Sequence, residues 1–341
     1  MGEDHKLEGL QAARAIAALA VAYFHSYMVI RVAFPESAWA PIPFLKDWGY
    51  LGVNFFFAIW GYVICLVVSK LTFTLRSFAT KRLFRLYPMY WVVMAIVALM
   101  IAYGKYRAEP LSHFLYSMTL LPQQGASAYD ISWTLEREMV FYMLAAIIVP
   151  VSGIYGLAIT LAALALAGWW LGNPWSFHLL STTQADFLAG VVVFAARPLL
   201  RRLGAAVPIA VGATLLWYTR SHDFQFSVTL SMAALLTGMV NLRLPWSRAP
   251  FRWAGLAGNA SYSIYLLHYL VFFQFAVWSV QWSLPAWMCE TWRFAALLAC
   301  CIISYGTWRL IERPSIHLSD RLSGRKARPG TAIRETAAIV P

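Results

Sequence analysis

The chain has 341 residues, of which 60% are apolar and only 12% charged, where a soluble globular chain has roughly 25% charged residues. With a mean hydropathy of +0.61, this much apolar surface cannot be hidden in a water-facing fold. That excludes a soluble enzyme, a disordered protein and a disulfide scaffold, and points to a polytopic membrane protein. The net charge of +12, from 27 Lys+Arg against 15 Asp+Glu, sits between apolar runs. There it reads as a topology signal and as contact with anionic lipid, not as a nucleic-acid surface. Cys65, Cys289, Cys300 and Cys301 have no zinc spacing and imply no disulfide framework. No metal site and no tightly bound cofactor is expected. The first apolar run, Leu10 to Ile30, is too long for a signal peptide and lacks a small-residue cleavage site, so it reads as a retained span.

A helix needs about 20 apolar residues to cross the hydrocarbon core. On that basis about ten spans are expected, over roughly 10–30, 50–69, 88–103, 131–152, 156–171, 181–196, 204–219, 226–242, 260–280 and 293–312. Lys70, Arg76, Lys81, Arg82 and Arg85 lie between the second and third spans with no acid among them. Arg197, Arg201 and Arg202 follow the sixth span, and Arg243, Arg248 and Arg252 follow the eighth. Beyond the tenth come Arg321, Arg325, Lys326, Arg328 and Arg334. The alternate loops are charge-poor or balanced: Arg31, Glu36, Lys46 and Asp47 after the first span, Arg220 and Asp223 after the seventh, Glu290 and Arg293 after the ninth. The positive-inside rule then puts both termini in the cytoplasm. The expected fold is all-α, a polytopic transmembrane helical bundle of about ten spans over residues 1–316. A basic cytoplasmic tail without regular structure is expected over 317–341.

Ionisable groups inside spans are expensive and so are functional candidates by default. Arg14 and His25 share the first span, eleven residues apart. That is about three helical turns with about 20° of offset, so both lie on one face about 16 Å apart. Arg14 falls near the cytoplasmic end and His25 in the outer half. The bland alternatives are that Arg14 snorkels and that His25 bonds a neighbouring carbonyl. Glu138 opens the fourth span with Phe141 and Tyr142 one turn on, at an expected depth like that of His25. Glu136 and Arg137 are expected nearer water. Arg82 and Arg85 lead into the third span as i,i+3 neighbours, a spacing that can grip a phosphate or simply mark the cytoplasmic side. Asn54 lies near the outer mouth of the second span; Ser261, Ser263 and His268 lie on the ninth, where hydroxyls line a polar path or join helices. Asp186 reads as a lone acid making a structural hydrogen bond. Arg309 and Glu312 read as an i,i+3 ion pair.

Taken in order, these segments resemble the acyltransferase-3 family of bacterial integral membrane acyltransferases. The resemblance rests on Arg14 and His25; on Gly52, Val53, Phe56, Phe57 and Gly61; on Arg82, Arg85 and Pro88; on Trp133, Leu135 and Glu138 with Phe141 and Tyr142; on Gly258, Ser261, Tyr262, Ser263 and His268; and on Glu312 and Pro314. The Leu10-Gln11 start, and the length without an appended hydrolase-like domain, look most like the exopolysaccharide-production branch. Asn54 stands where the family pattern has aspartate, Trp60 where it has serine, and Thr134 where it has serine. Trp60 adds bulk where a small residue permits close helix approach.

The resemblance implies transfer of an acyl group, usually acetyl, from cytoplasmic acyl-CoA to a carbohydrate hydroxyl at the outer face of the bacterial inner membrane. Polysaccharide-synthesis machinery is an implied partner, and no nucleic acid is. On this view Arg82 and Arg85 hold the donor's phosphates and Arg14 guards the path inward. His25 is the base, or the site of an acyl-histidine relay, with Glu138 orienting its ring. Asn54, Tyr142, Ser261 and His268 position the acceptor. A transporter or flippase for a glycolipid or anionic metabolite is the rival, since intramembrane Arg, His and Glu suit transport equally well; the absence of an internal repeat counts against it.

Overall fold

The computed structural model describes residues 4–34, 40–70, 73–173, 178–219, 226–243, 245, 248 and 251–323. The fold is helical, with no strand among the described residues. In chain order the helices are α1 (Asp4–Val29), α2 (Pro43–Trp48), α3 (Gly52–Val68), α4 (Leu75–Ala102), α5 (Leu111–Ser117), α6 (Trp133–Leu171) and α7 (Gln184–Ala195). They continue with α8 (Arg197–Leu200), α9 (Ala206–Thr219), α10 (Ser227–Asn241), α11 (Phe251–Asn259), α12 (Ser261–Gln281), α13 (Cys289–Thr307) and α14 (Arg313–Leu322). Of the loop charges read from the sequence, Glu36, Arg220, Asp223, Arg325, Lys326, Arg328 and Arg334 lie outside the described residues.

Each of the ten expected segments holds helix, but not all are long. Six helices are long and apolar enough to cross a membrane: Glu8–Ala33, Pro43–Val68, Leu75–Ala102, Trp133–Leu171, Ser261–Gln281 and Ala286–Leu322. The number is seven if Arg197–Leu203 and Ala206–Thr219, bent by 92°, form one broken span. The chain is thus a multi-pass membrane protein. α7 and α10, with 12 and 15 residues, reach only about 18–22 Å, short of a hydrocarbon core of about 30 Å.

α6 is two helices. Gly153 has φ 67° and ψ −166° inside it, a conformation open to glycine and closed to other residues. Near the start, Glu136 is bonded to His178 at 2.7 Å. Near the end, a side-chain carbon at Gly168 would fall 1.6 Å from the Leu180 carbonyl oxygen. Both ends therefore meet the one turn 178–180, whereas a straight helix would separate them by about 48 Å. The chain reverses at Gly153, and the two arms are the segments expected at 131–152 and 156–171.

α1 is the hub, packed against α3, α10, α11, α12 and α13. Alanine is the commonest of its buried residues, which lets neighbouring backbones come close without a hydrophobic driving force between spans. The tightest crossing joins α3 and α7. A side-chain carbon on Gly190 would lie 1.9 Å from the Ala58 carbonyl oxygen, and one on Gly61 would lie 2.1 Å from that of Phe187. The small residue at this crossing is Gly61. Trp60, one position earlier, points elsewhere.

The long connection between α4 and α6 is a folded cap. Arg107 bonds Glu109, Asp130 and the Ser127 carbonyl, and Tyr106 donates to Asp130 at 2.9 Å. Ala128, Tyr129, Ile131 and Ser132 are buried, and the Tyr129 hydroxyl donates to the Leu266 carbonyl on α12 at 2.6 Å. Glu290 and Arg293, read from sequence as the balanced charges after the ninth span, form a buried pair on α13. Arg293 donates to Ser26 Oγ at 2.8 Å and lies over the Tyr27 ring. At the other end of the molecule, helix α14 runs through residues 317–322 of the expected tail, held to α4 by Lys81 and Asp320 at 2.8 Å.

Gly190→Leu should lower the thermal midpoint of the detergent-purified protein by several degrees, reflecting an overpacking loss of about 1–3 kcal/mol. Gly255→Ala, inside helix α11 where an added carbon meets nothing within 4 Å, should not lower the midpoint and should raise it slightly through better helix propensity. The cap carries a pH signature. Burial pushes the Glu109 carboxyl up, but hydrogen bonds from Arg107 and His113 outweigh it and hold the group below its ordinary 4.5. A depressed carboxylate contributes stability that is complete above its ordinary value and lost as pH falls through the folded one. Amide-exchange protection over 105–117, corrected for intrinsic rates, should be flat from about pH 7 to 5 and fall below about 4.5.

Candidate active site

Three arginines meet inside the bundle, at the end that carries the basic loops. Arg14, Arg82 and Arg85 are 4%, 3% and 3% exposed. Arg14 extends from α1 over the Trp60 ring, 5.5 Å from its centroid, and donates to Gln11 Oε1 at 3.4 Å. Arg82 rests between the rings of Phe78 and Tyr142, at 5.3 and 5.0 Å. Arg85 lies 5.8 Å from the Tyr262 centroid and 3.6 Å from Glu312 Oε2. One nitrogen of Arg14, three of Arg82 and two of Arg85 are buried without a hydrogen-bond partner. The i,i+3 spacing thus delivers two adjacent guanidinium groups, both within the protein and not at its surface.

Beside them is a narrow, partly open cavity lined by Arg14, Val53, Phe56, Phe57, Trp60, Thr134, Leu135, Glu138, Ser261, Tyr262 and Tyr265. It is apolar apart from the Arg14 guanidinium, the Glu138 carboxylate and a few hydroxyls. The Ser261 hydroxyl is buried without a partner. Trp60 fills one wall, so its bulk narrows the cavity and does not hold helices apart. Glu138 accepts a hydrogen bond from Tyr142, one turn on in α6. Tyr142 also carries Arg82 on its face, so one phenol links the carboxylate to the arginine pair.

His25 is elsewhere. Its ring stands against His268 on α12, with Nδ1 of His25 3.0 Å from Nε2 of His268. The structure does not bring His25 and Glu138 into contact: the carboxylate is bonded to Tyr142 and shares the cavity with Arg14, at the opposite end of α1 from His25. The equal depths expected from sequence assumed that α6 starts at the protein surface. It starts beneath the cap, because residues 128, 129, 131 and 132 are already buried, and Glu138 is carried deeper. The two regions communicate through Tyr265, which lines the cavity and has its ring centroid 5.8 Å from that of His268. The Tyr265 hydroxyl is anchored by Thr134 Oγ1 at 2.8 Å.

Asn54 does not line the cavity. Its amide donates to Asp186 at 2.7 Å, and Thr229 donates to the other carboxylate oxygen at 2.7 Å. Asp186 is therefore the structural hydrogen-bonding group expected of it, and Asn54 is one of its donors. Glu136 is buried, bonded to Gln123 and His178 at 2.7 Å each, and not near water. Glu312 is bonded to Ser263 and pairs with Arg85, whereas Arg309 is exposed. The reason is local: Trp308–Glu312 is a π-helical turn, whose wider winding takes i and i+3 off a common face. Gln11 and Tyr265 were missed from sequence. Gln11 was open to the same i,i+3 rule as Arg14; nothing local marks Tyr265 or the pairing of Glu136 with His178.

The family of the acyltransferase domain matches residues 7–309. The chain belongs to the acyltransferase-3 family. Among its relatives, the exopolysaccharide production protein ExoZ of Rhizobium meliloti (strain 1021) is 28% identical over 319 residues, covering 84% of this chain and 94% of that protein. No solved structure matches. The acyltransferase-3 segments span every helix that contributes to the cavity and to the histidine pair.

Asn54→Leu removes one of two donors to a buried carboxylate and should destabilise the protein by about 1–3 kcal/mol, read as a lower thermal midpoint. A role for Asn54 in holding the acceptor would show instead as a raised acceptor KM at unchanged midpoint.

Proposed function

We propose that this acyltransferase-3 protein is an O-acyltransferase of the bacterial inner membrane. It moves an acyl group, an acetyl by preference, from cytoplasmic acyl-CoA to a hydroxyl of an exopolysaccharide, another cell-surface glycan or a lipid-linked precursor. The name of the ExoZ relative supports exopolysaccharide as the product, with polysaccharide-synthesis proteins as partners. Ten crossings with both termini cytoplasmic belong to this proposal, supported by the basic loops, which put the arginine cluster at the inner face.

The observation that carries the proposal is the cluster of six buried, unpartnered guanidinium nitrogens on three arginines, faced by the carboxylates of Glu138 and Glu312. Buried polar groups are bonded in nearly all proteins, and a buried cation in excess of its counter-charges calls for an anion. The phosphates of acyl-CoA supply one, and forked guanidinium groups suit phosphate oxygens. In this reading Arg82 and Arg85 hold the phosphates. Arg14 and Glu138 stand where the donor's arm enters the apolar cavity, with Glu138 acting on the donor side. Trp60 limits the space for the acyl end, and Ser261 has a hydroxyl free to bond it.

Transfer needs a base for the acceptor. A sugar hydroxyl attacks the thioester carbonyl as its proton passes to His25; the carbon–sulfur bond breaks and the thiolate takes up that proton. Ester and free CoA thiol result, with no net proton change. His25 is half-buried and lies toward the opposite end of α1 from Arg14, so donor and acceptor approach from opposite ends.

The test is acyl transfer from labelled acetyl-CoA to glycan in membranes carrying the protein, with mass spectrometry of the glycan. His25→Ala at normal membrane levels should lose about 10²–10⁴-fold in rate. Arg82→Ala should raise the donor KM by about 10–100-fold, as expected for losing charge-assisted bonds worth about 1.5–3 kcal/mol, with Arg82→Lys in between. Arg82 is the cleaner target, because removing Arg85 also strands Glu312. Saturable solute flux with no acylated product would overturn the proposal in favour of transport.

A further inference from the structure

One protonation pattern satisfies all three ring contacts of the two histidines at once. His268 is fully buried. Its Nδ1 is 3.2 Å from the Ile264 carbonyl oxygen, one turn back on α12. A carbonyl only accepts, so Nδ1 of His268 carries a proton. His25 Nδ1 is likewise 3.1 Å from the Val21 carbonyl oxygen, one turn back on α1, so it too carries a proton. The remaining contact, His268 Nε2 to His25 Nδ1 at 3.0 Å, then has a proton on the His25 side and must have a lone pair on the His268 side. A second proton on His268 would set two N–H groups against each other. His268 is therefore neutral, and the His25 Nδ1–H is shared between Val21 and His268. In neutral His25 the lone pair is therefore on Nε2, which makes no hydrogen bond among the described residues and is not among the buried unpartnered atoms.

We propose that His268 is a positioning residue that locks His25 in the tautomer with its basic nitrogen, Nε2, facing the acceptor. The proposal rests on the reading of His25 as the base. It assigns His268 a role on the His25 ring, in place of the contact with the acceptor that the sequence led to. When Nε2 takes the acceptor's proton, His25 becomes an imidazolium whose Nδ1–H bond to the neutral His268 Nε2 becomes charge-assisted and stronger. His268 thus supports the charge without exchanging a proton. This is the work of the orienting carboxylate in a hydrolytic triad, done here by a neutral ring. A neutral partner suits the position: a carboxylate placed there would be a further buried charge in a span and would need its own counter-charge. The setting is rigid. Tyr265 and Phe272 flank the His268 ring at 5.8 and 5.9 Å, and Phe24 and Tyr269 flank that of His25 at 5.2 and 6.2 Å. Next to His25 on α1, the fully buried Arg293 holds Ser26, fixing the backbone that carries the ring.

Two measurements test this. The first needs no turnover. In full-length protein labelled with 15N-histidine, the His25 signal, identified by its loss in His25→Ala, should show Nδ1 protonated and Nε2 unprotonated above its titration. A His25 signal of the opposite tautomer, or an averaged one, in the wild type overturns the proposal. The second is kinetic. His268→Ala should lower kcat by about 10²-fold with the donor KM within about twofold, and its His25 signal should average between tautomers. His268→Gln offers an amide N–H for the Ile264 carbonyl and an amide oxygen for His25 Nδ1, and should recover kcat to within about tenfold of wild type. Equal loss in both variants, or kcat in His268→Ala within about twofold of wild type, overturns the proposal. If the NMR pattern holds while His25→Ala retains transfer, the tautomer lock stands and it is the reading of His25 as the base that fails.

Discussion

Everything in this molecule answers to the cost of keeping guanidinium groups away from water. Three arginines stand inside the bundle with two carboxylates between them, and the surroundings are shaped to make that tolerable. Aromatic faces from Phe78, Tyr142, Tyr262 and Trp60 cover the cations where oxygen atoms do not. Glu312 is brought to Arg85 by a π-helical turn at the end of α13. Tyr142 serves twice, as donor to Glu138 and as a platform for Arg82. Fully neutralised, such a cluster would be a structural element. Left short of negative charge, it is the feature on which the proposed donor site rests.

The alanine-rich α1 joins the two chemical regions because it carries a member of each, Arg14 and His25, on one rigid helix. Around it, close crossings at glycine set the distances between helices, so the cavity is bounded by backbone as well as by side chains. Several polar groups away from the cavity are joined in bonded sets: Asp186 with Asn54 and Thr229, Glu136 with Gln123 and His178, Glu290 with Arg293. Each fixes a helix pair or a loop. The three arginines and Ser261, which have buried polar atoms without a partner, stand together around the cavity.

Much of this was legible in the sequence. Composition and the placement of arginine and lysine lead to a helical membrane bundle, and the positions of Arg14, Arg82, Arg85, His25 and His268 single them out as groups that do not belong in lipid. What sequence could not supply was depth and partnership. Glu138 was assigned the depth of His25 because α6 was assumed to begin at the surface, whereas a folded cap sinks its first turn. Arg309 and Glu312 were paired by an α-helical rule where the backbone is wider. The His25–His268 contact joins residues 243 positions apart, and no local periodicity encodes it. Glu290 and Arg293 read as balanced loop charges, and charge spacing carries no information on their burial.

The reversal at Gly153 bears on the surrounding lipid. The second arm of α6, residues 154–171, is about 27 Å long. Its outward side is apolar, with Ile159 and Leu166 exposed. Exposed aromatic residues mark its two ends, Tyr155 after the turn and Trp169 and Trp170 at the far end, in the manner of side chains that settle at a membrane interface. Tyr155 and Trp169 are only about 21 Å apart along the axis, well under an average hydrocarbon thickness of about 30 Å. A hairpin with so little length in reserve has none to give to tilt; a bilayer of average thickness meets such a span by thinning beside it, by flanking residues reaching to the interface, or by association of spans.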